Sequence, residues 1–205
     1  MIASAARLRG WWRALGIATG LATSVAIVSG LAGCAAPAGP QAMVVQSPAA
    51  TAPRQHPSSV SVTVLGGAET GALDSSNIGN ADLQNAIEAS IRESRLFREV
   101  LHGRGGLYEL AVSVIQLNKP TFGTTFTVEL EAGWSLTRGS DRTVLWRKVV
   151  KSSGTSTMGE AFVGVTRLRL AVEAAARSNI QQGLADIATL DLQATPEIAA
   201  AAPLK

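Results

Sequence analysis

Thr125-Phe126-Thr127-Val128-Glu129-Leu130-Glu131-Ala132-Gly133-Trp134-Ser135-Leu136-Thr137 is the stretch on which the fold turns. Phe126, Val128, Leu130, Ala132, Trp134 and Leu136 fall on one face of an extended chain, and Thr125, Thr127, Glu129, Glu131, Ser135 and Thr137 on the other. Successive side chains of a strand point to opposite faces, so this strand sits over a core on one side and meets solvent on the other. That alternation is the mark of an antiparallel sheet with one face covered.

The flanking segments fit the same sheet. Tyr108, Leu110, Val112 and Val114 alternate with Glu109, Ala111 and Ser113, and a loop around Lys119-Pro120-Thr121 leads into the long strand. Arg138-Gly139-Ser140-Asp141-Arg142 forms a hairpin loop, and Thr143 to Ser152 is the partner strand. Trp134 and Trp146 are read as core aromatics in preference to the lining of a ligand groove. Upstream, residues 59–65, Ser-Val-Ser-Val-Thr-Val-Leu, predict a first strand ended by Gly66-Gly67, and Leu96 to Leu101 predict a short strand.

Two helices complete the domain. Leu83, Ala86, Ile87, Ser90 and Ile91 share one face from Ala81 to about Arg95, with Asn80 as the N-cap and Glu88 and Arg92 paired on the solvent side. The last helix is announced by the capping-box pattern Thr157-Met-Gly-Glu160. Val165, Leu168, Val172, Ala176, Ile180, Leu184 and Ile187 follow at three- and four-residue steps, with Arg169, Glu173 and Arg177 as a charge ladder on another face. Ala161 and Gly164 are small enough for close packing near its start. The expected fold class is α+β: a single domain over 60–190, an antiparallel sheet with two helices packed on one face, followed by a flexible tail over 191–205.

The N-terminal part has a different composition. Arg7, Arg9 and Arg13 precede an uncharged, mostly apolar run from Ala14 to Ala32, the layout of a secretory signal. Leu31-Ala32-Gly33-Cys34 resembles the lipobox of bacterial lipoproteins, in which cleavage falls between Gly33 and Cys34 and the cysteine thiol carries lipid. The resemblance implies a signal peptide over 1–33, lipid attachment at Cys34 with two or three acyl (palmitate-type) chains, and stable membrane anchoring, since one chain alone binds reversibly. Ala35, in place of the aspartate that retains many such proteins at the inner membrane, implies the periplasmic face of the outer membrane. Two other readings stay open: an uncleaved membrane anchor over the same apolar run, and a chance Leu-Ala-Gly-Cys.

Residues 34–59 are rich in Ala, Pro, Gln and Ser, and Pro37, Pro40, Pro48, Pro53 and Pro57 deny them regular hydrogen bonding. They are expected to form a disordered tether, with His56 a solvated linker residue.

Composition excludes some functions. The chain carries 18 Lys+Arg and 15 Asp+Glu, but three of the arginines lie before Cys34 and no acidic residue does. The remainder is close to neutral, so its basic pI reflects an export signal, and no nucleic-acid partner is expected. Cys34 is the sole cysteine, so no internal disulfide forms. No catalytic motif is present, and the chain is expected not to be an enzyme. Glu129 and Glu131 are read as a solvated strand face in preference to a hydrolytic pair. His102-Gly103-Arg104-Gly105-Gly106 is read as a hairpin turn in preference to an anion cradle. No metal ligands and no cofactor are expected.

A second resemblance covers most of the domain. Leu83-Gln-Asn-Ala-Ile-Glu-Ala-Ser-Ile-Arg-Glu-Ser-Arg-Leu-Phe-Arg-Glu-Val100, then Tyr108-Glu-Leu-Ala-Val-Ser-Val, the long alternating strand, a basic hairpin strand and an alanine-rich closing helix are similar to the auxiliary lipoproteins of ABC-type lipid transporters with MCE partners. The resemblance implies a periplasmic accessory or binding lipoprotein in envelope lipid transport, with a transporter or MCE-type subunit as its protein partner. Helix-then-Ser-x-Leu-Phe-x-x-Val also occurs in envelope lipoproteins that build secretion pores or activate peptidoglycan synthases, which makes a structural or regulatory lipoprotein of that kind the alternative.

Overall fold

A computed structural model describes residues 35–46, 56–71 and 74–192. Its elements are α1 (Pro40–Met43), β1 (His56–Leu65), α2 (Asn80–Ser94), β2 (Phe97–Leu101), β3 (Tyr108–Asn118), β4 (Thr125–Arg138), β5 (Val144–Thr157) and α3 (Gly164–Ala188). The five strands form one sheet in the order β2-β1-β3-β4-β5. The class is α+β, as the alternation of β4 predicts.

The sheet is mixed, where an antiparallel one is expected. β1 pairs in parallel with both β2 and β3, while β3-β4 and β4-β5 are antiparallel. The reason lies in α2: a helix between two strands returns the chain to the end where it started, so β1-α2-β2 closes as a parallel crossover unit. β1 also starts at His56, ahead of the expected Ser59. Pro57 is tolerated in this central strand because the β1-β2 register shifts between His56 and Ser59. His56 is therefore no linker residue. Its ring is buried against Phe97 at 5.0 Å between centroids, and its Nε2 lies 3.3 Å from the Ile187 carbonyl.

One face of the sheet holds the core. Val60, Val62, Leu110, Val112, Leu130, Trp134 and Leu136 are buried beneath α2 and α3, while Thr127, Glu129 and the other alternate residues of β4 turn away. α3 approaches the sheet at two glycines. A Cβ on Gly154 of β5 would lie 2.2 Å from the Ala175 nitrogen, and one on Gly183 would lie 2.7 Å from the Trp134 ring. These approaches occur in the middle of the helix and near its end, while the expected close-packing positions Ala161 and Gly164 lie before and at its first residue. Trp134 is a core aromatic, its Nε1 donating to Asn179 Oδ1 at 2.9 Å, and Trp146 is half-buried at the core's margin.

The helix starts differ from the sequence reading. Asn80 does not cap α2; Gly79 holds that position and Asn80 Oδ1 instead accepts the Gly67 N–H at 2.8 Å. Glu160 does reach back to the Thr157 N–H, at 2.7 Å, but the contact closes a turn after β5 and α3 begins four residues later. Val165, on the first turn, is exposed.

Candidate functional site

Gly33 and Cys34, the expected cleavage and lipid-attachment residues, lie outside the described residues. The compact unit that holds every described residue begins immediately after them, at Ala35, and the chain from there is laid along the helices. The Ser76 hydroxyl donates to the Ala36 carbonyl at 2.8 Å, and the Ala38 N–H donates to the Asn77 carbonyl at 3.2 Å. Gly39 N–H donates to Glu173 Oε1 at 2.9 Å, Arg177 Nε to the Ala42 carbonyl at 3.0 Å, and Val45 N–H to Ser90 Oγ at 3.0 Å. Ala38 and Met43 are fully buried.

Residues 35–46, expected as part of a loose tether, thus form a strap over α2 and α3. Pro40 causes no breakage because it occupies the first turn of α1, where an N–H would go unpaired. The strap also explains the charges of α3. Glu173 is buried, 3.6 Å from Arg169 Nε, so within the Arg169-Glu173-Arg177 ladder Glu173 and Arg177 hold the strap and Arg169 pairs with Glu173. Glu88 of α2 is likewise buried, ringed by Gln84, Arg92 and His102 at 3.0–3.2 Å, so the Glu88-Arg92 pair forms with its carboxylate inside the fold. At the chain's far end Leu192 is part of the fold, its carbonyl accepting from the Tyr108 hydroxyl at 2.9 Å; the rest of the expected tail lies outside the described residues.

The strap begins at one end of the sheet, where the β3-β4 loop (119–124) and the β5-α3 loop (158–163) also lie. Lys119 Nζ donates to the Ser76 carbonyl at 3.1 Å and to Asn77 Oδ1, the same two residues that hold Ala36 and Ala38. Burial there lowers the Lys119 ammonium below the usual lysine range, opposed by the Asp74 carboxylate. The two loops are fastened by Arg167. Its Nη1 donates to the carbonyls of Ala161 and Phe162 at 2.8 and 3.0 Å, its Nη2 to that of Gly123 at 3.0 Å, and its guanidinium sits 4.8 Å from the Phe126 ring centroid. Between these anchors Phe122 and Phe162 stand out, 88% and 81% exposed. Neither was singled out by sequence; the available signal was an aromatic between Pro120 and Gly123, in a loop with no strand or helix to bury it.

The polar candidates are dispersed. Glu131 pairs with Lys151 at 3.0 Å, and Glu129 takes only a 3.5 Å contact from Asn118 Nδ2. With Gln116 and Lys151 they line an open groove of about 570 Å³. His102 lies 3.2 Å from Glu88, away from both. Arg104 and Arg142 line a shallow 260 Å³ depression with Glu109, whose carboxylate offsets their charge for any anion. Among the described residues no three His, Cys, Asp or Glu side chains are grouped to hold a metal ion, and no helix is long and apolar enough to cross a membrane.

The fold is one that a solved structure shares. A Xanthomonas campestris protein of the DUF330 family is similar to this chain with a TM-score of 0.52 at 15% identity, over 69% of this chain and 87% of that one. A candidate lipoprotein from Caulobacter crescentus aligns with a TM-score of 0.45 at 14% identity, over 63% of this chain and 88% of its own. A Neisseria meningitidis lipoprotein aligns with a TM-score of 0.38 at 12% identity, over 49% of this chain and 85% of its own. No protein-family model and no curated protein sequence matches the chain.

Proposed function

We propose that this is a lipid-anchored accessory lipoprotein of the bacterial envelope, acylated on Cys34 after cleavage behind Gly33, and that it serves as a non-enzymatic auxiliary subunit of an envelope lipid-transport system at the periplasmic face of the outer membrane. The observation that carries the reading is where the domain starts. The folded unit begins at Ala35, one residue past the lipobox cysteine. Cleavage before Cys34 leaves every described residue on the mature chain, and acylation of Cys34 puts the lipid one residue ahead of the first of them.

The lipid-transport assignment rests on the sequence resemblance over Leu83 to Val100 and the elements beyond it. The working partner is a transporter or MCE-type subunit. The buried carboxylates Glu88 and Glu173 are taken up in structural pairs, which fits a binding role better than a chemical one. The test is affinity purification of the full-length protein from its own membranes in mild detergent, with mass spectrometry of co-purifying proteins and lipids. Recovery of an MCE-type or permease subunit with phospholipid is expected; recovery of a peptidoglycan synthase or a secretion pore in its place overturns the transport role and leaves the anchored class standing.

A further inference from the structure

The loops at the strap's starting end have a feature that core packing does not use: two of the four phenylalanines are almost wholly exposed. Phe122 and Phe162 are joined there by Val163 and Met158, 58% and 44% exposed. Residues 120–128 and 161–166, which carry both rings, contain no Asp, Glu, Lys or Arg, and Lys119 and Glu160 flank them in sequence. Exposed apolar side chains scattered singly need no explanation, but a contiguous group on projecting loops marks a contact surface.

The group is also held rigid. Arg167 is 5% exposed, and three of its hydrogen bonds go to loop carbonyls, two on one loop and one on the other. Fixing both loops to one buried guanidinium holds the backbone that carries the two rings together and lowers the ordering cost of inserting them into something else.

The occupant is indicated by where the chain leaves the fold. Ala36 and Ala38 are bonded to Ser76 and Asn77, and Lys119, three residues before Phe122, is bonded to the same pair. Consecutive Cα atoms lie about 3.8 Å apart, so a lipid on the residue preceding Ala35 belongs to this end of the domain. We propose that the 119–124 and 158–163 loops form a membrane-seating tip, with Phe122 and Phe162 entering the headgroup–acyl boundary of the bilayer that holds the acylated Cys34. The inference rests on the lipid-anchored reading of Cys34. It makes the anchor and the tip two attachments of one surface, so the domain stands tip-down with the base of β3 pointing away. The two rings insert by apolar burial, with Lys119 and Glu160 the charged residues of the two loops.

The test uses the mature lipidated protein reconstituted into phosphatidylethanolamine–phosphatidylglycerol vesicles, some containing lipid brominated on its acyl chains. Phe122→Trp and Phe162→Trp report the tip in separate preparations, and Leu107→Trp, at an exposed position at the opposite end of β3, is the reference. Bromolipid quenching of the added tryptophan is expected to be at least about twofold stronger at both tip positions than at the reference. Equal quenching at all three positions overturns the proposal. Blue-shifted tip emission with no bromolipid quenching assigns the tip to a second copy or another protein and overturns it too. An unmodified Cys34 in the mass spectrum of the same preparation overturns the anchored reading instead.

Discussion

Helix α3 is held from two sides by unlike means. Against the sheet it closes to contact at Gly154 and Gly183, where even a methyl group has no room, and the Asn179 side chain makes polar contacts to Trp134, the Val150 carbonyl and Ser152. Against the strap it offers Glu173 and Arg177, each taking one backbone group of residues 39–42, with Met43 as an apolar plug. The sheet side is a steric fit with no tolerance. The strap side is a row of separable contacts, each of which can be lost while the others persist. The seat of α3 on the sheet is the foundation, and the strap is the part able to come away.

Substitutions on the two sides should therefore differ in kind as well as in size. The largest effect is expected from Gly154→Val, whose side chain collides with the backbone of Ala171 and Ala175. A cost of about 3 kcal/mol or more is expected from overpacking against atoms that cannot rotate away, read as loss of the cooperative thermal transition or a large fall in Tm. An unaltered melting curve would show that α3 does not sit closely on β5.

Trp134→Phe comes next. It strips Asn179 Oδ1 of its buried donor and leaves a gap beside Gly183, at about 1–3 kcal/mol by urea unfolding. Met43→Ala should behave otherwise. Removing a fully buried methionine costs about 2–5 kcal/mol in a core that cannot let go, but here the loss is capped by the strap's own docking energy. Amide exchange of residues 38–45 should rise sharply while the global Tm barely moves. If Tm falls as far as in Trp134→Phe, strap and sheet belong to one cooperative unit and the contrast between them fails.

Glu173→Gln is expected to cost less than about 1 kcal/mol, because the amide oxygen still accepts the Gly39 N–H and only the Arg169 pair is lost. Smallest of all is an acid effect at the β4-β5 hairpin, remote from both seams. The Thr143 N–H and then Arg138 hold the exposed Asp141 carboxyl below the usual aspartate range. A depressed carboxyl stabilises the folded state above its unfolded value, and that contribution disappears as pH falls through the folded one. An Asp141 titration followed by NMR should show the low value; an ordinary value would mean the turn is open in solution.

What could be read from sequence divides along the same line. The sheet side was legible because its signals are local: the alternation of Phe126 to Leu136 and the stripe Leu168-Val172-Ala176-Ile180 each fix a face without knowledge of any partner. The parallel pairing of β1 was not, since Val60-Val62-Val64 alternate identically whichever neighbour they bond. The strap was hidden by its composition. Pro37 and Pro40 read as breakers, and only the helices α2 and α3, far away in sequence, supply the groups that make them compatible with a fold. Arg169, Glu173 and Arg177 read only as a charge ladder for the same reason, because the backbone that Glu173 and Arg177 bind lies about 130 residues upstream. The tip loops sit between these cases: their place between strands was visible, but the exposure of Phe122 and Phe162 is a property of the assembled surface.

The order of the strap's contacts has a mechanical consequence. Ala36, Ala38, Gly39, Ala42 and Val45 are fastened one after another from the end at which the strap starts. A pull applied at Ala35 away from the helices would meet these fastenings one after another, as a zipper does, before it loaded the sheet beneath. Twelve residues peeled from 35 to 46 release about 40 Å of extended chain. Tension alone would thus convert a domain seated close to its anchor into one on a long leash, and slack would let it reel back along the same row.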